Sequence, residues 1–172
     1  MRLKDVEVFA LIEDPFFHSP VLILFNRESQ RILPIVIGHF EARAIALSLQ
    51  GIITDRPLTH DLLLKSIQEC GGKVSRIVVE KIENNTFFSS LHIIQGENKT
   101  KIDARPSDAI ALALRARAPI FVNENLLLES GQPNPFNEPS PQSGEKKFTD
   151  EELEKIREML KKAQEREERS SN

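Results

Sequence analysis

Three stretches of the chain concentrate side chains able to bind or move charge: Gly38-His39-Phe40-Glu41, Arg56-Pro57-Leu58-Thr59-His60-Asp61, and Ile102-Asp103-Ala104-Arg105-Pro106-Ser107-Asp108. The last gathers two carboxylates, a guanidinium and a hydroxyl where a strand gives way to a helix. Strand alternation places Asp103 and Arg105 on one face, and the free N–H groups of a helix start can hold an anion such as phosphate. Two plainer roles fit as well: Asp108 can cap its own helix, and Arg105 can pair with Glu41 or Asp103. In the second stretch His60 sits beside Asp61 at a helix start. An imidazole there can act as a general acid or base, or it can simply meet solvent and nearby backbone.

Glu41 raises a separate question. Projected at 100° per residue, His39, Arg43 and Gln50 share one side of their helix, whereas Glu41 falls with Ala44, Ile45 and Ser48. A carboxylate on an apolar wall needs a cation, because desolvating a lone charge costs several kcal/mol. That cation is either an arginine or a metal.

The elements that position these residues can be read from pattern. Residues 3 to 13, 20 to 26 and 31 to 37 are β-branched or alternating runs between turn signals, which predicts three strands. Gly38 releases the chain into a helix over His39 to Gln50, stopped at Gly51. A second helix follows Thr59, its expected N-cap, with Asp61 in the first turn, and ends at Gly71-Gly72. Residues 73 to 82 and 86 to 95 read as a hairpin around Glu83-Asn84-Asn85, with another strand over about 100 to 104. Pro106 opens a third helix whose Ala109 to Leu114 core is wholly apolar and therefore buried nearly all round. Residues 118 to 122 supply a last strand before a polar loop containing Leu126 to Leu128. The fold class expected is α+β: a mainly antiparallel sheet packed with three helices, over residues 1 to 130.

Beyond Ser130 come Pro133, Pro135, Pro139 and Pro141 among Ser, Asn and Gln, a composition that cannot build a core. Residues 131 to 147 are expected to be a flexible linker, and residues 148 to 169 a charged amphipathic helix. Thr149 and Glu152 form its capping-box signal, and Leu153, Ile156, Leu160 and Ala163 its one apolar stripe, which wants a partner surface. A protein partner for this helix, and a fold that survives its removal, are the corresponding expectations.

Composition limits the function. With 23 Lys and Arg against 26 Asp and Glu, there is no basic surplus for tight phosphate binding, so any nucleic-acid site must be local. Trp and Tyr are absent, and the ten Phe form no base-stacking platform. No Walker loop, dinucleotide fingerprint, paired cysteines or nucleophile elbow is present, which argues against an organic cofactor. Cys70 stands alone, His18 and His92 have no motif around them, and no apolar run reaches the roughly 20 residues of a membrane span. With no signal-peptide pattern at the start, a cytoplasmic location is expected.

Leu33-Pro34-Ile35-Val36-Ile37-Gly38 with Glu41-Ala42, Arg56 to Leu62, and Ile102 to Arg115 resemble, in order and spacing, three signature blocks of the bifunctional nuclease domain family. The resemblance covers about residues 1 to 130. It implies a compact α+β domain, often self-associating, with DNase and RNase activity in some members. Phe88 and Phe121 stand where members commonly have tyrosine, which removes any phenolic role there. Carried onto this chain, the resemblance leads to a phosphodiesterase. Glu41, Asp103 and Asp108 hold a divalent cation such as Mg; Arg56, Arg105, Ser107 and Thr59 bind the substrate phosphate; His60, with the three carboxylates, is catalytic. A homodimer or higher oligomer with nucleic acid as substrate is expected. The alternative is a non-catalytic oligomeric binding module whose motif charges are structural ion pairs.

Overall fold

The computed structural model describes residues 2–13, 19–135 and 149–170. Eight strands form one sheet: β1 (Leu3–Ile12), β2 (Val21–Asn26), β3 (Arg31–Val36), β4 (Lys73–Glu83), β5 (Thr86–Gln95), β6 (Asn98–Ala104), β7 (Ile120–Asn123) and β8 (Gln132–Pro133). Their order is β6-β5-β4-β7-β1-β2-β3-β8, and every pairing is antiparallel except β4 with β7. Between them run α1 (His39–Leu49), α2 (Thr59–Glu69), α3 (Pro106–Ala116), the short α4 (Glu124–Glu129) and the terminal α5 (Asp150–Ser170). The expected α+β class is therefore what the chain adopts.

The sheet has two differently covered faces. On one, Leu22, Leu24, Leu33, Ile77, Val79, Leu91 and Val122 join Ala42 and Ile45 of α1 and the apolar run Ala109–Ala113 of α3 in the main core. On the other, Phe9, Ile12, Val21, Ile23, Phe25 and Ile32 form a second cluster, with the Phe9 and Phe25 rings 5.6 Å apart. Strand β2 is buried at every position, which explains its unbroken Val-Leu-Ile-Leu-Phe run: odd and even residues face different cores.

The second cluster is closed by α5. Ile156 and Leu160 are buried in it and Leu153 packs alongside, so the stripe expected to want a partner finds it in its own chain. The helix opens with the anticipated box: Glu152 N donates to Thr149 Oγ1 and Thr149 N donates to Glu152 Oε2. The side chain of Ala163 lies outside the described residues, as do residues 136–148 of the expected linker.

Three local expectations are corrected. Leu126 and Leu127 are buried in α4, not carried on a loop; the Asn123 side chain accepts from Asn125 N and so caps this turn. Ordered chain continues past Ser130, because β8 pairs with β3 and the Arg31 guanidinium donates to the carbonyls of Leu127, Leu128 and Gly131. At α2 the N-cap is Leu58, not Thr59. The expected hairpin turn holds, with Asn84 and Asn85 both at positive φ, as a tight two-residue connection requires.

Candidate functional site

The site forms where the start of α3 meets α1 and α2. Pro106 fixes the first helical position and leaves Arg105 in extended backbone just before it. From there the guanidinium joins two carboxylates: Nε donates to Asp108 Oδ2 and Nη2 to Glu41 Oε1, each at 2.7 Å. Asp108 uses its other oxygen for His60, with Oδ1 lying 3.1 Å from Nε2. One residue from each of three helices and the Arg105 N-cap thus make one chain of contacts, Glu41–Arg105–Asp108–His60.

Burial grades this chain from outside to inside. The Arg105 side chain is 67% exposed, Asp108 33%, Glu41 17% and His60 12%. The carboxylates of Asp108 and then Glu41 hold the Arg105 guanidinium above its ordinary pKa. The question left open at Glu41 is answered by an arginine. Its carboxylate folds back over Gly38, where any Cβ would collide with it, so this glycine is what lets the acid reach its partner.

Beside this chain runs a second pair, which motif reading did not place in the site. Arg115 Nε donates to Asp61 Oδ1 at 2.6 Å, and Arg115 Nη1 donates to Ala111 O at 2.8 Å. Asp61 Oδ2 also accepts from Leu58 N, closing the first turn of α2. Burial pushes the Asp61 carboxyl up, but the Leu58 amide and Arg115 outweigh it and hold it below its ordinary value. The available signal was the presence of Asp61 and Arg115 in two of the three motif blocks.

Of the residues expected to cooperate, the structure assembles Glu41, His60, Arg105 and Asp108. It does not bring the rest to them. Asp103 is exposed opposite Ser90, whereas its neighbour Ile102 lies opposite the core residue Leu91; alternation therefore points Asp103 to the face away from α1 and α3. Ser107 is buried, and Arg56 and Thr59 are exposed without a bond to the cluster. The expected Glu41, Asp103 and Asp108 metal set is thus not assembled. Among the described residues no three of His, Cys, Asp and Glu are grouped to hold a metal ion, and Arg105 occupies the space between the two acids that do approach. His92 belongs to a different group on the sheet, near Ser90, while His18 lies outside the described residues.

Sequence comparison decides what kind of domain carries this cluster. Residues 22–135, all three motif blocks and the α3 junction among them, match the bifunctional nuclease domain. The chain belongs to the bifunctional nuclease domain family. An uncharacterized protein of Mycobacterium tuberculosis is 37% identical over 158 residues, covering 92% of this chain and 93% of that protein. Bifunctional nuclease 1 of Oryza sativa subsp. japonica is 25% identical over 131 residues, 72% of this chain and 40% of its own length. Bifunctional nuclease 1 of Arabidopsis thaliana is 24% identical over 144 residues, with 78% and 43% covered. The chain thus spans less than half of these plant relatives. Within the family domain, the Glu41–Arg105–Asp108–His60 chain is the densest meeting of motif residues. No helix among the described residues is long and apolar enough to cross a membrane.

Proposed function

We propose that this bifunctional nuclease family domain hydrolyses phosphodiester bonds of DNA or RNA at the Glu41–Arg105–Asp108–His60 cluster. The observation that carries the reading is the 3.1 Å contact between His60 Nε2 and Asp108 Oδ1 beside an exposed arginine. Asp108 holds the imidazole through Nε2. His60 Nδ1 is then the atom that gives a proton to the leaving oxygen. Arg105 spends Nε and one hydrogen-bonding nitrogen on the two acids, and its remaining Nη1 is the donor offered to a phosphate oxygen. No step is taken through a metal, since the three expected ligands do not converge.

A second reading keeps the domain non-catalytic, and one feature favours it: Arg105 is already neutralised by two carboxylates, so a phosphate must compete with both. Cleavage of single- and double-stranded DNA and RNA by the purified chain, by His60→Ala and by Arg105→Met separates the readings. Activity in the wild type that falls at least a hundredfold in His60→Ala supports the nuclease. Wild-type protein that cuts none of these substrates, with and without added Mg or chelator, leaves the binding module.

Self-association belongs to the same proposal. Ile53 is 95% exposed, Phe40 88% and Leu62 57%, and these are the side chains a second copy would cover. Light scattering at micromolar concentration should give at least a dimer, and Ile53→Asp with Leu62→Asp should return a monomer.

A further inference from the structure

Helix α2 is attached to the domain in an unusual way. None of its eleven residues is buried; only Leu64 and Ile67 lean on the main core, while Leu62 and Leu63 are exposed. A helix of this length is marginal by itself in water, so something besides apolar packing must hold its first turn in place. Two polar contacts are available, and both go to α3.

The first is His60 with Asp108. The second is Asp61 with Arg115, whose side chain is only 9% exposed and whose guanidinium is tied to the Ala111 carbonyl of its own helix. Asp108 and Arg115 lie seven residues apart, two turns or roughly 10 Å along the axis of α3. They are gripped by two consecutive residues of α2. Contacts spread this widely resist pivoting of α2 about either one, whereas the His60 contact by itself leaves that rotation free. The same Asp61 carboxylate closes the turn through Leu58 N, so the pair fixes both the start of α2 and its seat on α3.

We propose that Asp61 and Arg115 are the positioning pair of this site: they dock the first turn of α2 so that the His60 imidazole stays against Asp108. Neither needs to touch substrate. The effect on turnover rests on the nuclease reading; the effect on α2 and on the His60 ring does not.

The test uses the full chain, as wild type, Arg115→Met, Asp61→Asn and the double variant. Hydrogen exchange should quicken at least tenfold over residues 60–69 in each single variant while β2 and the apolar run of α3 keep their protection. The His60 ring resonances should move toward those of a free imidazole, and the double variant should be no worse than either single one, because both remove one contact. If the nuclease reading holds, kcat falls about tenfold with KM unchanged, and adding Arg115→Met to His60→Ala lowers turnover no further. Should Arg115→Met fail to fold, Asp61→Asn, which keeps the side-chain volume, carries the same measurements. Unchanged α2 exchange together with unchanged His60 resonances overturns the proposal whatever the activity. Loosened α2 with a displaced ring in a protein that cleaves nothing upholds the positioning pair and removes the nuclease reading alone.

Discussion

Arg105 reaches Glu41 across 64 residues of sequence, with Nη2 2.7 Å from Oε1, yet two thirds of the arginine side chain stays in solvent while the glutamate is mostly covered. The pair is therefore lopsided. Removing the acid leaves a cation that water can solvate, so Glu41→Gln should cost no more than about 1 kcal/mol. Removing the base leaves a largely covered carboxylate and its neighbour Asp108 without a cation. Arg105→Met should cost about 1–2 kcal/mol, short of the roughly 3–5 kcal/mol of a fully buried pair. Urea melts of the two variants check the order; an equal or reversed loss would show that the exposed arginine is the anchored partner.

A methyl group at Gly38 should displace the Glu41 carboxylate. A Cβ there occupies the place of the Glu41 carboxylate, so Gly38→Ala must push the acid away from Arg105 or shift the start of α1. The carboxylate is the far end of a flexible side chain, so the loss should be no more than about 1 kcal/mol, as for Glu41→Gln. Any phosphodiesterase activity should drop as in Glu41→Gln. A crystal structure of Gly38→Ala with the Glu41 contact intact would refute this account of the glycine.

Deleting residues 136–172 removes the cover of the second cluster. Ile156 and Leu160 each bring about 1.5–3 kcal/mol of burial as an upper figure, and the cost of ordering the helix offsets part of it. The fragment should fold but melt about 4–8 °C lower, following a net loss of about 2 kcal/mol. It should also bind a hydrophobic dye over Phe9, Ile23 and Phe25. The sequence pattern alone predicts that the fold survives, because it treats α5 as separate from the core; the packing of Ile156 and Leu160 adds the lower melt. An unchanged melt would show that the contacts of α5 add nothing to stability.

Acid should erase the contribution of Asp61. Its folded-state pKa lies below the ordinary value of 3.8, so the native state holds fewer protons than the unfolded chain just below that value. The contribution is complete above pH 3.8 and is lost as pH falls through the depressed folded pKa. Asp61→Asn should therefore be less stable than wild type by a constant margin from pH 7 to about 5, and the margin should close as pH falls through the depressed folded pKa. Denaturant melts across this range test it; a margin that grew toward acid would mean that Asp61 is not the charged partner of Arg115.

Some of this molecule was written locally. The strand runs, the Asn84-Asn85 turn, Pro106 at the start of α3 and the Thr149–Glu152 box depend on residues a few positions apart, where backbone preference and side-chain caps act directly. The demand of Glu41 for a cation was also legible, because periodicity alone put it on an apolar wall. Three motif blocks in order carried the family.

Other features needed the folded chain. Periodicity could not choose between an arginine and a metal beside Glu41, since that choice depends on how closely residues 41, 105 and 108 approach. It placed Asp103 with Arg105 by alternation, but Arg105 stands where the strand ends and the helix begins, and there alternation stops. Nor could it tell that α5 covers β2: a helix stripe and an all-apolar strand each announce a buried face without naming the surface that meets it. Local interactions set elements and their ends; only long-range packing decides which charges become neighbours, and with them which histidine is held.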